Sequence, residues 1–128
     1  MDVGVNAAGP FSQRVLALTR PWPNLTVHKA DCGRGAALVS AGCQVAHLHG
    51  GDEAELLLGE KSLARLRPVL LESGRARTDG RSVLLRLGGE SDVRLLLSLL
   101  SVAIKRCADD GCGGNGPWCR IGRGAAVG

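Results

Sequence analysis

The sequence predicts an α+β protein: an antiparallel sheet of about five strands with helices packed on one face, in the order α-β-β-β-β-α-β-α. Three observations lead there. Between Leu25 and Leu58, short apolar or alternating runs are separated by tight turn residues, the pattern of a meander of antiparallel neighbours. Leu63, Leu66 and Leu70, and later the Leu-rich run after Asp92, switch to helical spacing. The one strand-like segment between those two helical runs is "SVLLRL", Ser82 to Leu87.

From Phe11 to Arg20, Phe11, Val15 and Leu18 recur at helical spacing; Ser12 is placed to cap the start, and "RPWP" stops the helix. "LTVHKA" sets Leu25 and Val27 against Thr26 and His28, a first strand. "DCGRG", Asp31 to Gly35, is a turn. "AALVS" is a second strand, Ala41–Gly42 a tight turn, "QVAHLH" a third strand, and "GGDE" turns the chain into "AELLL", a fourth. The helix that follows contains Pro68, so it is expected to kink there or to stop near Arg67 and restart. "ESGRARTDGR" reads as a polar connection, and "SVLLRL" as a strand with Val83, Leu85 and Leu87 on one side. Ser91 is placed to cap the last helix, with Glu90 and Asp92 at its start and Lys105–Arg106 at its end, as the helix dipole favours. Apolar residues wrap most of that helix, which should be largely buried.

At 128 residues the chain fits one domain, expected over residues 11–108, between a flexible N-terminus (1–10) and a flexible glycine-rich tail (109–128). An apolar fraction of 45% suits a globular core, but aromatics make up only 2% and there is no Tyr. That core must be built from Leu, Val and Ala, and it lacks the stacking platforms of single-stranded nucleic-acid binders. Nucleic acid is therefore disfavoured as a partner. The longest apolar stretch, "VRLLLSLLSVAI", is too short and too interrupted to span a bilayer, so no membrane role is expected. The start, "MDVGVNAAGPF", has no signal-peptide pattern, and five cysteines leave one over in any full pairing scheme. A cytoplasmic protein with mostly reduced thiols is expected. Seven basic residues fall between Lys61 and Arg86 against Glu72 and Asp79, a candidate face for an anionic partner.

The chemistry concentrates in "CQVAHLHGGDEAELLL", Cys43 to Leu58, which holds two of the chain's three histidines. On a strand His47 and His49 point to one side, with attachment points about 7 Å apart. Such a pair can chelate a transition metal, supply a general acid and base near neutral pH, or serve as structural histidines that hydrogen-bond to neighbouring strands. Glu53 or Glu55, across the "GGDE" turn, would lie beside them, and His28 is the remaining imidazole. By the same alternation Cys43 and Val45 should share the histidines' face, Cys43 as a small buried residue rather than a nucleophile. Weaker candidates are an anion site where "GGES" opens the last helix, and metal binding by Cys107, Cys112 and Cys119, whose spacing fits no zinc or redox motif.

Trp22–Pro23 before the first strand, Gly42 with His47 and His49, Glu55 in the next strand, and Asp92–Val93 opening a Leu-rich helix together resemble the small bacterial luciferase-domain proteins, a family described as of unknown function and frequent in actinobacteria. The resemblance runs from about Pro21 to Arg106. It departs from the family pattern at Ser82–Val83, where the family commonly has Trp-Val, and at Glu55, where Asp is usual. It does not imply the flavin-dependent luciferases, which are far longer (β/α)₈ barrels.

Residues and resemblance together imply a small-molecule enzyme or enzyme-like binding protein, in a role compatible with secondary metabolism. His47, His49 and Glu55 are its catalytic candidates, and His28 and Arg86 its substrate-binding candidates. No cofactor is demanded; a transition metal, if bound, would sit on His47 and His49. The alternative is a non-catalytic partner-binding module using the Lys61–Arg86 face. A homodimer is compatible with either.

Overall fold

The computed structural model describes residues 9–29, 35–50, 52–79 and 81–110. Among these residues three helices and six strands follow one another as α1 (Pro10–Thr19), β1 (Leu25–Lys29), β2 (Ala36–Ser40), β3 (Cys43–His49), β4 (Glu53–Leu57), α2 (Glu60–Ser73), β5 (Ala76–Asp79), β6 (Ser82–Arg86) and α3 (Glu90–Asp110). The strands form a single antiparallel sheet ordered β1-β2-β3-β4-β6-β5. After β4 the chain passes through α2 to the far edge, and β6 returns to fill the place between β4 and β5.

The α+β class and the single helix-covered face are as the sequence predicts; the strand count is six, not five. The extra strand is β5, cut from the stretch expected to be a polar connection. Its Ala76 is buried while Arg77 is exposed, so an edge strand with one apolar anchor looks like a loop in a periodicity search. α2 continues through Pro68. The ring removes the hydrogen bond to the Ala64 carbonyl, but Ala64 and Pro68 are both exposed, so water can satisfy that carbonyl.

Both expected serine caps are displaced. Ser12 is the third residue of α1, and its N–H donates to Asp52 Oδ1 at 2.9 Å, so the cap comes from the β3–β4 turn. In α3, Ser91 lies one residue inside the helix, and Asp92 Oδ2 accepts the Gly88 N–H at 2.8 Å. The helix also runs one turn past Lys105–Arg106. The expected turn at Asp31–Gly35 lies almost wholly outside the described residues, as do most of the N-terminal segment, nearly all of the 109–128 tail, and Cys112 and Cys119.

Each helix presents apolar residues to the same side of the sheet. Val15 and Leu16 of α1, Leu63 and Leu70 of α2, and Val93, Leu96, Leu100, Ala103 and Cys107 of α3 join Leu38, Ala46, Leu48, Ala54, Leu56, Val83 and Leu85 in one buried cluster. Those strand residues are cross-strand partners of one another, so they share one face. The alternation predicted for Val83, Leu85 and Leu87 holds, all three being buried.

One irregularity matters for everything that follows. Leu38 pairs with Ala46 but Val39 pairs with Gln44, so β3 carries one extra residue, Val45. This β-bulge resets the alternation of the strand. Cys43 pairs with Ser40 and belongs to the apolar cluster, so the expectation that it shares the histidines' face is overturned. Cys43 is also disulfide-bonded, which removes it as a thiolate nucleophile and departs from the expected reduced thiols; Cys107 is free and buried.

Two turns make stability predictions. Ala41 and Gly42 join β2 to β3 with φ of 53° and 80°, the left-handed pair of a type I′ turn. Ala41→Gly relieves the Cβ strain and should raise stability by up to ~1 kcal/mol in denaturant unfolding. Asp52→Ala removes the α1 cap from a residue that itself sits at φ 55°, and should lower stability by about 1–2 kcal/mol in the same measurement.

Candidate functional site: a buried polar row across the sheet

On the face opposite the apolar cluster, the registers of five strand pairs align His28, Ala37, His47, Glu55, Leu84 and Arg77 in a single row across the sheet. A second row beside it runs His49, Glu53, Arg86. The two catalytic candidates His47 and Glu55 are thus direct cross-strand partners, which places their Cβ atoms about 5 Å apart. His49 lies on the same side, its ring centroid 5.8 Å from that of His47 and nearly perpendicular to it.

All three are buried: His47 and Glu55 at 0% and His49 at 2% exposure. Ser82 is buried as well, and its hydroxyl donates to Glu55 Oε2 at 3.1 Å. Ser82 is the residue that stands where the family commonly has Trp, so here that position supplies a hydroxyl to the carboxylate.

Gln44 completes the group. Three residues before His47, it would lie on the opposite face of a regular strand. The extra residue at Val45 brings it to the same face, and its Oε1 lies 2.7 Å from His47 Nε2. This contact is a hydrogen bond whose donor is set by the tautomer of the ring. Burial is the larger cause, and the neighbouring His49 the smaller, that push the His47 pKa down to about 4. His47 is therefore neutral at physiological pH.

The substrate-binding candidates are further out. His28 shares the row with His47 but stands two strands away, about 10 Å, exposed and bonded through Nε2 to Thr26 Oγ1 at 2.9 Å. Arg86 is exposed at the end of the second row, directly opposite Glu53. The basic residues between Lys61 and Arg86 are all exposed but do not make one face. Lys61, Arg65 and Arg67 are on α2 in the helix layer, whereas Arg77 and Arg86 belong to the polar side of the sheet. Among the described residues no three or more His, Cys, Asp or Glu side chains are grouped to hold a metal ion. A metal on His47 and His49 would have two ligands from this set.

The site makes a pH prediction. The folded-state pKa of His47 lies near 4 against 6.5 for an ordinary histidine, so the unfolded chain binds the proton first as pH falls. His47 thus contributes no destabilisation above pH 6.5, and stability is lost as pH drops from about 6.5 toward 4, by an amount on the order of 3 kcal/mol. Urea unfolding of wild type and His47→Gln should diverge over that window, the variant losing less stability on acidification.

Residues 42–103 match the family model of the luciferase domain. No curated protein matches the sequence significantly. Among solved structures the chain is similar to a DUF1801-family protein from Bacillus subtilis, with a TM-score of 0.57 and 16% identity over 80% of this chain and 86% of that one. That likeness is one of fold. No helix among the described residues is long and apolar enough to cross a membrane. The residues that suggested the resemblance, from Gly42 through His47, His49 and Glu55 to Asp92–Val93, fall inside the matched segment, and that segment is similar to the luciferase domain while lying on an open α+β sheet, unlike the barrel of the flavin-dependent enzymes.

Proposed function

We propose that the polar side of the sheet binds a small organic molecule and that His47, His49 and Glu55 act on it as acid–base groups, making the protein a small-molecule enzyme or enzyme-like binder. The observation that carries this reading is the buried row itself. A histidine, a carboxylate, an amide and a hydroxyl interlock at the centre of a sheet whose other side is filled with Leu, Val and Ala. Buried polar groups are at best break-even against apolar residues of the same shape, and an unpaired one costs about 1–3 kcal/mol. A chain so rich in leucine had the cheaper option at these positions, so the departure from it points to use.

A neutral His47 beside a carboxylate is suited to receive or relay a proton from a bound ligand. His28 and Arg86 flank the row on opposite sides and are placed to contact the ends of a ligand longer than the site. A bacterial biosynthetic role in the cytoplasm, with a homodimer as the working form, belongs to the same reading and rests on the family resemblance. The Cys43 disulfide argues for an oxidising compartment instead, and the redox state of Cys43 in cells decides between them.

The test is a small-molecule library screened by ligand-observed NMR against wild type, His47→Asn and Glu55→Gln. A wild-type ligand should lose affinity at least about tenfold in each variant while both variants melt within a few degrees of wild type. Variants that melt far below wild type, or that bind its ligands unchanged, would make the row structural.

A further inference from the structure

We infer that the Cys43 disulfide is closed by Cys112, just past the end of α3, and that this bond braces the β2–β3 hairpin against the last helix. The strand that carries the bulge and the two histidines is then held in an oxidation-dependent way. The brace lies on the helix side of the sheet and is independent of what the polar row binds.

Elimination and reach select the partner. The chain has five cysteines, of which Cys107 is a free, buried thiol, so Cys43 is bonded to Cys32, Cys112 or Cys119. Cys43 sits at the hairpin end of the sheet, where it pairs with Ser40. Cys32 follows β1, whose last residue, Lys29, pairs with Ala36 at the opposite end of β2. Four positions along the strands and two strands across put Lys29 about 16 Å from Cys43, and three extended residues reach only about 10 Å. A disulfide needs its Cα atoms within about 7 Å, so Cys32 closes the gap only by running straight through the layer of the sheet itself.

The end of α3 is already at the hairpin. The Cys107 thiol donates to the carbonyl of Ser40, the cross-strand partner of Cys43, at 3.8 Å, and Cys43 and Cys107 belong to the same apolar cluster. From Cys107 the helix rises about 4.5 Å to Asp110, and two more residues lead to Cys112. Cys119 is seven residues further, and closing that longer loop costs more chain entropy. A bond from residue 43 to residue 112 ties together more than half of the sequence, the arrangement in which a cross-link most restricts the unfolded chain. It also stands beside the weakest point of β3, since the bulge at Val45 interrupts the ladder two residues on.

Non-reducing digestion with trypsin, Asp-N and chymotrypsin puts each of the five cysteines on its own peptide, and mass spectrometry of the alkylated digest reads the pairing in the wild-type chain. The Cys43 peptide should be joined to the Cys112 peptide; a link from Cys43 to Cys32 or to Cys119 overturns the inference. Cys112→Ser should lower the melting temperature by about 5–15 °C in non-reducing buffer, and a reductant should bring the wild type down toward the variant. A Cys112→Ser protein as stable as the wild type removes the brace. Should that variant fail to fold, the wild-type peptide map decides alone.

Discussion

The side chain parity of β3 is the constraint on which the rest of this structure depends. Strand residues alternate faces, so one extra residue exchanges the two sides of everything beyond it. At Val45 the strand takes that extra residue. Before the bulge, Cys43 faces the helices and Gln44 the polar side; after it, Ala46 and Leu48 face the helices and His47 and His49 the polar side. Without the insertion, holding the histidines in place would turn Gln44 toward the apolar cluster and Cys43 away from it. The bulge thus lets one strand serve a leucine core along its whole length and still bring an amide to the imidazole.

The two faces of the sheet have opposite energetics. On the helix side, buried leucines contribute about 1.5–3 kcal/mol each by leaving water, and their exact partners matter little to function. On the other side, Glu55 and His47 give up hydration and recover it through specific bonds, among them that from Ser82 to the carboxylate and that between the imidazole and Gln44. Such a network is worth little as cohesion but is sensitive to geometry, because a group that loses its partner is left stranded in a low-dielectric interior. The helix layer therefore holds the sheet together, and the polar row is where shape and protonation are specified.

How much of this the sequence reveals follows from the period of each signal. Strands with clear turns, β1 to β4, and helices with apolar stripes were legible, as was the same-face pairing of His47 with His49, because those two lie on the same side of the bulge. β5 was hidden by its polar run Arg77, Thr78 and Asp79, which suits an edge strand and mimics a loop. The helix caps were misplaced because their acceptors are distant or reversed: Asp52 reaches Ser12 across 40 residues, and Asp92 reaches back to Gly88. Gln44 was illegible for a deeper reason. Spacing of three on a strand argues against contact, and nothing in "CQVAH" marks the bulge that reverses that argument.

The remaining step concerns how the row is held in register with the helices. Asp52 sits in the turn between His49 and Glu53, and three contacts converge on it. Its carboxylate accepts the Ser12 N–H at the start of α1, its carbonyl accepts the Leu87 N–H just past β6, and Gly9 packs so closely that a Cβ there would come within 2.4 Å of Oδ1. The carboxylate also meets the positive end of the α1 dipole. The turn is thereby clamped between a helix of the apolar layer and the strand that carries Ser82 and Arg86. Any shift of α1 along the sheet must move this turn, and with it the bases of both His49 and Glu53, while His47 and Glu55, two residues deeper on each strand, are buffered by the ladder between them. The outer row is consequently the part of the site coupled to the helix layer, and the inner row the part fixed by the sheet.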